Sequence, residues 1–299
     1  LERPLALILG IFTYIAWGSL PLFWKLLKSV SPEMVLANRI LWGTISLFIY
    51  ILIVNYFNKK SFASKLFPNL KECKSHLPSA LTLSVNWGVY IWAVNNNYVL
   101  ASSLGYFLSP ILYLIAGALV FKEVLSTKKK IAGVLGFIAL IPLILKVDVV
   151  TAIVSVAIGL SIVIYGIFRK TRSLEPVRGV YIESLILTPL AALYIQQNSG
   201  EIIFPSIFST EINLLLCLSG LITALPLITY GKAILSISLT EMALLQYISP
   251  VLQFLLAYFY FKEEMSLNRW ATFFLVWLAI ALMIWDMFKK NKSTKDSTQ

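Results

Sequence analysis

Charged residues in this chain come in short clusters, and the apolar runs between them are too long for the core segments of a soluble protein. A membrane-spanning helix needs about 20 predominantly apolar residues. Runs bounded by charge or turn residues predict ten such helices, over 5–27, 34–57, 77–97, 100–121, 129–147, 150–168, 178–195, 212–235, 239–261 and 268–288. The fifth and sixth runs, like the eighth and ninth, are separated by very short connections, so each of these pairs could merge into one element. Residues 289–299 are polar and lysine-rich and read as a disordered tail.

One element inside these runs occurs twice. Ser102-Ser103-Leu104-Gly105-Tyr106-Phe107-Leu108-Ser109-Pro110 leads to Phe121-Lys122-Glu123. Thr240-Glu241-Met242-Ala243-Leu244-Leu245-Gln246-Tyr247-Ile248-Ser249-Pro250 leads, at the same spacing, to Phe261-Lys262-Glu263. Tyr90-Ile91-Trp92-Ala93 is echoed at the same offset by Tyr230-Gly231-Lys232-Ala233. A lone Ser-Pro carries no weight, but an aromatic-x-Ser-Pro, a Phe-Lys-Glu and one common offset point to internal duplication. The expected division is 1–147 and 148–288, five helices each, followed by the tail at 289–299. Five is odd, so the halves enter the membrane from opposite sides as inverted repeats. In secondary transporters of that architecture the substrate site lies between the halves near the midplane.

Composition supports the membrane reading. The 299 residues are 59% hydrophobic and 13% charged, where a soluble domain carries about 25% charged residues; the mean hydropathy is +0.82. The net charge of +11 lies in loop clusters rather than in a basic stripe with interleaved aromatics, which argues against nucleic acid as a partner. With the N-terminus in the cytoplasm, the inner segments hold Arg3, the Lys59–Lys74 cluster, Lys122 with Lys128–Lys130, Arg169 to Arg178 and the lysines of the tail. The outer segments hold only Lys25, Lys28, Lys146, Lys262 and Arg269. That bias predicts that both termini face the cytoplasm. The first run is long enough to span and lacks a small-x-small cleavage site, so no cleavable signal peptide is expected. The first residue is not Met, so the sequence is expected to start slightly downstream of the natural one. Cys73 and Cys217 make neither a disulfide framework nor a metal set.

Helical spacing then selects candidate residues. Ser102, Tyr106, Ser109 and Tyr113 share one face of the fourth run, and Met242, Gln246, Ser249 and Gln253 the equivalent face of the ninth. Such faces either line a cavity or join helices by hydrogen bonds. Pro110 and Pro250 each remove a backbone donor in mid-helix and are candidate bending points for gating. Asn86 and Tyr90 share a face of the third run beside Trp87, and Asn95-Asn96-Asn97 marks its outer end. Thr223, Pro226 and Tyr230 occupy the matching face of the eighth run. Tyr14, Trp17, Gly18, Pro21 and Lys25 make a comparable face in the first run, and Tyr165, Gly166, Arg169 and Lys170 a weaker one ending the sixth. Arg39 lies inside the second run, where an ionisable group needs a partner or a ligand, and Glu33 and Glu183 are candidate partners. Lys232 can pair with Glu241, while Glu123 and Glu263 read as boundary charges. Substrate contacts are therefore expected from Trp17, Arg39, Asn86, Tyr90, Tyr106, Tyr230 and Gln246. The only histidine, His76, falls in or beside the lysine-rich loop. No zinc-ligand set, Walker loop or nucleophile elbow is present, so no enzyme, metal or cofactor is expected.

Taken together, Tyr14-x-x-Trp17-Gly18-x-x-Pro21-x-x-Trp24-Lys25, Glu33, Asn38-Arg39, Asn86-Trp87, Ala93-Val94-Asn95, Ser103-Leu104-Gly105-Tyr106-Phe107, Tyr165-Gly166-x-x-Arg169-Lys170 and Gln246-Tyr247-x-x-Pro250 resemble the RarD group. That group lies in the EamA family of the drug/metabolite transporter superfamily. The resemblance covers essentially the whole chain and implies ten helices in two inverted repeats around a central cavity. It implies transport of small metabolites, amino acids among them. The chain departs from the group's pattern at Asn96-Asn97, where the group carries a histidine, which weakens any proton coupling borrowed from relatives. The expected activity is alternating-access transport of a small amphipathic metabolite across the lipid bilayer. A passive channel of the same fold and a membrane receptor or scaffold are the rivals. The substrate, the direction, a coupling proton or ion and assembly as a homo-oligomer stay open.

Overall fold

The protein is represented by a computed structural model describing residues 1–57, 67–96, 98–144, 148–172 and 175–260, together with Lys262, Trp270, Phe274, Leu275, Trp277, Leu278 and Ala281. Among the described residues every regular element is helical and no strand occurs. In chain order the helices are α1 (Arg3–Trp24), α2 (Pro32–Phe57), α3 (Leu70–Asn95), α4 (Val99–Val120) and α5 (Thr127–Ile144). There follow α6 (Val149–Thr171), α7 (Pro176–Ser199), α8 (Thr210–Ser236), α9 (Leu239–Gln246) and α10 (Ile248–Leu255). Both short connections separate distinct helices: α5 ends before α6 begins, and α8 breaks at Ile237 and Ser238. The expected tenth run, 268–288, and the tail at 289–299 lie outside the described residues apart from the isolated positions above.

Among the described residues seven segments are long and apolar enough to cross a membrane, including the α9–α10 segment Leu239–Tyr260. Helix α3 falls short because polar residues run along it, with Lys71, Glu72, Lys74 and His76 near its start and Ser79, Thr82, Ser84 and Asn86 further on. Helix α5 falls short because Lys128, Lys129 and Lys130 occupy much of its first turn. Lipid offers the backbone no hydrogen-bond partner, and the helix is the element that satisfies its own.

The third element starts earlier than the apolar run predicts. Asn69 Oδ1 accepts from Glu72 N, and Asn69 N donates to Glu72 Oε2. That reciprocal capping box places the helix start before Leu70 and carries His76 out of the loop and into the helix. Other ends follow local chemistry: Asp148 and Ser209 cap α6 and α8, and Gly200, at φ +76°, closes α7 in the left-handed conformation.

The helices pack in a regular scheme. Helix α1 lies against α8 and α10, α2 against α7 and α8, α3 against α6 and α7, and α4 against α6 and α9. Helices α2 and α8 approach closely where a Cβ on Gly220 would stand 2.3 Å from backbone atoms of Trp42 and Gly43. A Cβ on Gly43 would stand 3.6 Å from Gly220 O, and one on Gly88 would meet nothing within 4 Å. Gly220→Ala is therefore expected to destabilise the bundle by about 1–3 kcal/mol through overpacking, whereas Gly88→Ala gains up to about 1 kcal/mol of helix propensity. Unfolding in detergent should rank Gly88→Ala above Gly43→Ala and Gly43→Ala above Gly220→Ala. Equal melting of all three would contradict the close crossing.

The lysines of the two Phe-Lys-Glu stretches share a backbone conformation. Lys122 (φ +52°) and Lys262 (φ +58°) are two of the three described non-glycine residues in the left-handed region. Each directly follows a Phe at the end of its own copy of the repeated element.

Candidate functional site

Proline acts differently in the two copies. Pro110 leaves the Tyr106 carbonyl without its helical donor, and the Ser109 hydroxyl donates to that carbonyl at 2.9 Å. Helix α4 consequently runs unbroken through Pro110. Pro250 frees the Gln246 carbonyl in the same way, but the Ser249 hydroxyl donates at 2.6 Å to the Tyr14 carbonyl of α1. The ninth span is interrupted at Tyr247, between α9 and α10.

The polar faces of α4 and α9 meet each other. Gln246 Nε2 donates to the Ser109 hydroxyl, and Ser102, Ser109, Met242, Gln246 and Ser249 are all buried. Tyr113, at the end of the α4 face, is fully buried, while Gln253 is exposed. Among the described residues Gln246 Oε1 has no hydrogen-bond partner.

Arg39, Asn86, Tyr90 and Tyr106 come together from α2, α3 and α4. Tyr106 donates its hydroxyl to Asn86 Oδ1 at 3.2 Å, and Asn86 Nδ2 donates to the Ile158 carbonyl and Ser161 hydroxyl of α6, each at 3.0 Å. Asn86 is buried, Tyr106 is half-buried and Tyr90 is 38% exposed, with the two phenol rings 6.1 Å apart. Arg39 takes neither Glu33 nor Glu183 as partner. Its Nε donates to the Thr223 hydroxyl of α8 at 3.1 Å. Its guanidinium lies over the rings of Trp24 and Trp87, 5.1 and 4.7 Å from their centroids.

Trp17 and Tyr230 belong to a second, deeper group. Their rings lie 5.6 Å apart, Tyr14 packs on Trp17 and Tyr165 stacks on Tyr230. Tyr113 donates to the Ile162 carbonyl at 2.8 Å, so the 2.7 Å contact between the Tyr230 and Tyr113 hydroxyls takes its proton from Tyr230. Gly166 makes room, since a Cβ there would stand 2.6 Å from both hydroxyls.

Glu183 anchors a buried ionic cluster beneath these tyrosines. It accepts from His76 Nδ1 at 3.1 Å, Tyr165 at 3.1 Å and Arg169 Nη1 at 3.3 Å. His76 and Glu183 are each 1% exposed. Arg169 also donates to the Pro176 carbonyl, and its guanidinium occupies space that a side chain at Gly179 or Gly231 would fill. His76, expected in or beside the lysine-rich loop, lies in α3, and the Asn69-x-x-Glu72 capping box is the sequence signal for that placement.

The charged residues around this cluster join helix ends. Arg3 pairs with Glu241 at 2.6 Å, replacing the expected Lys232. The Glu123 carboxylate caps α9, accepting from Leu239 N at 2.6 Å and Thr240 N at 2.9 Å. It is thus a helix cap rather than a boundary charge, and Gly117 leaves it space. Lys129 donates to Thr240, and Lys170 to the Ile234 and Ile237 carbonyls at the end of α8. Glu72 receives Nε and Nη2 of Arg178 at 2.7 and 2.8 Å, and that bidentate contact holds its carboxyl below the usual glutamate range. These contacts join the start of α1 to that of α9, the start of α3 to that of α7, the end of α4 and the start of α5 to the start of α9, and the end of α6 to that of α8. Separate from both groups, a crevice of about 480 Å³ opens between α2, α3 and α7, lined mainly by apolar residues with Glu33 and Asn96.

Long apolar helices, buried polar seams and paired interior charges define a multi-pass helical membrane protein. A family model described as the EamA-like transporter family matches residues 4–145. Protein RarD of Streptomyces exfoliatus is 33% identical, the match covering 98% of this chain and 92% of that one. Protein RarD of Escherichia coli K12 is 29% identical over 96% of each chain. The Bacillus subtilis protein named uncharacterized transporter YojE is 30% identical over 98% of each. The chain therefore belongs to the EamA-like transporter family, in its RarD group. It is a membrane transporter and not an enzyme. A solved crystal structure with 17% identity superposes with a TM-score of 0.73 over 94% of this chain and 98% of its own, which shows a shared fold.

Proposed function

We propose that the chain is a secondary transporter of the bacterial inner membrane, moving a small amphipathic metabolite by alternating access. The two halves, 1–147 and 148–288, are inverted repeats of five helices each, with both termini in the cytoplasm. The packing scheme supports the repeat. A shift of five spans turns the α1–α8 contact into α6–α3, the α2–α8 contact into α7–α3 and the α1–α10 contact into α6–α4. The left-handed backbone shared by Lys122 and Lys262 points the same way.

The observation that carries the mechanism is the contrast between the two ends of the bundle. At the end rich in Lys and Arg, contacts such as Arg3–Glu241, Glu123 on α9 and Glu72–Arg178 bind one half to the other. Toward the other end Arg39, Tyr106, Trp17 and Trp87 are only half-buried. That arrangement suits a carrier closed toward the cytoplasm, with substrate admitted from the outer side. Arg39, Asn86, Tyr90 and Tyr106 form the outer wall of the site, and Trp17, Tyr230 and Gln246 its floor. Pro250, where the ninth span is broken, serves as the gating joint, and Pro110 stiffens the facing helix.

Counterflow into proteoliposomes preloaded with bacterial metabolite extract, followed by mass spectrometry, tests this reading. Tyr106→Leu removes the donor to Asn86, and Gln246→Leu removes the donor to Ser109. Each is expected to lower flux at least about tenfold with normal insertion, as losing a polar contact in a dry site costs about 1–3 kcal/mol. Unaltered flux in both variants would take these residues out of the site. A passive channel predicts neither saturation nor counterflow. A receptor or scaffold predicts no solute movement.

A further inference from the structure

We propose that Arg39 binds the carboxylate of an organic acid, and that the transported metabolite is a small carboxylate with a flat apolar body. The proposal rests on the transporter reading above and names the substrate class of the same site. Among the described residues Arg39 makes no ion pair, although it lies inside the apolar length of α2. Glu183, an acidic group the sequence offered to it, is held by Arg169, His76 and Tyr165. The contrast between the two interior arginines is informative. Arg169 is buried and has a carboxylate, as a structural ion pair requires; Arg39 is half-buried and has none.

The partners Arg39 does have orient it. Thr223 accepts from Nε at 3.1 Å, and no acceptor among the described residues takes either Nη group. Trp24 and Trp87 hold the guanidinium plane from α1 and α3. The end-on pair of Nη donors is thus left for a ligand, in the fork geometry that matches the two oxygens of a carboxylate. Phenols and indoles surround it. Tyr106 and Tyr90 both lie within electrostatic reach of Arg39, and neither brings a formal charge. A positive group among neutral aromatic walls recognises a single negative charge attached to a body that stacks on indole or phenol. Phosphate presents the same oxyanion chemistry, and an anionic lipid headgroup could supply it.

The test uses the full chain in phosphatidylcholine nanodiscs, with tryptophan fluorescence titrated by phenylacetate and by its neutral isostere phenylacetamide. Phenylacetate is expected to change the emission saturably and to bind at least about tenfold more tightly than the amide, the discrimination of one charge-assisted hydrogen-bonded pair. Arg39→Gln should abolish the preference for the acid over the amide, while Arg39→Lys should recover part of it. Should Arg39→Gln fail to insert, Thr223→Val releases Nε alone and is expected to weaken the acid severalfold. Equal binding of acid and amide would overturn the proposal, as would acid binding that survives Arg39→Gln. So would a response to phosphatidylglycerol with none to phenylacetate, which would assign the oxyanion to a lipid. Counterflow of radiolabelled probes separates the two levels of inference. Counterflow of the amide without preference for the acid keeps the carrier and ends the carboxylate assignment. Tight acid binding without any counterflow keeps the carboxylate site and ends the carrier reading.

Discussion

Replacing Glu183 with Leu is expected to cost about 3–5 kcal/mol, the penalty for leaving a buried charge without its partner. Glu183 receives donors from Arg169, His76 and Tyr165, and Arg169 is buried with it. Losing the carboxylate strands the guanidinium in a space shaped by Gly179 and Gly231, where water has little room to replace it. Arg169→Leu alone should cost nearly as much, because it strands the opposite charge. The double variant should be far less damaging than the sum, since replacing a whole buried pair by apolar groups is often close to neutral. Unfolding midpoints in detergent for the wild type, both single variants and the double variant make the test. Additive losses would mean that the two charges do not depend on each other.

Removing the Glu123 carboxylate is expected to open the cytoplasmic end. Glu123 comes from the end of α4 and accepts two backbone N–H groups at the start of α9, so it fastens one proposed half to the other. Charge-assisted bonds of this kind contribute about 1.5–3 kcal/mol each. Glu123→Ala should then raise the population open to the cytoplasm about tenfold or more. A single cysteine at position 246, in a background lacking Cys73 and Cys217, reports the change. In inside-out vesicles a membrane-impermeant maleimide should label it at least about tenfold faster when Glu123 is absent. Unchanged labelling would show that Glu123 caps α9 without closing a gate. Faster labelling in right-side-out cells alone would reverse the proposed orientation.

Much of the fold is legible in the sequence, because lipid imposes a simple rule on helix length and polarity. The runs up to residue 261 each meet a helical segment, and the two short connections keep their neighbours apart. The start of α3 was missed because hydropathy ignores capping, and Asn69 with Glu72 begins that helix inside a charged stretch. The site was legible in part. Spacing placed Tyr106, Ser109 and Gln246 on facing polar stripes, but it could not tell which hydroxyl turns toward its own helix. Partners were the least legible feature. Arg39, Glu183, Lys232 and Glu241 all lie in or beside apolar runs, and the sequence offered Glu33 and Glu183 to Arg39 and Glu241 to Lys232. The packing instead joins Glu183 to Arg169 and Glu241 to Arg3. Only the packing of helix against helix decides such pairs.

The two Ser-Pro elements carry the same residues to opposite mechanical ends. Where the serine hydroxyl bonds the carbonyl that its proline sets free, as at Ser109, the helix is a strut. Where it bonds a neighbouring helix, as at Ser249, the span is interrupted at Tyr247 and tied to α1. The same Ser-Pro pair thereby stands once in a continuous helix and once in an interrupted one, and the difference is the direction in which one hydroxyl points.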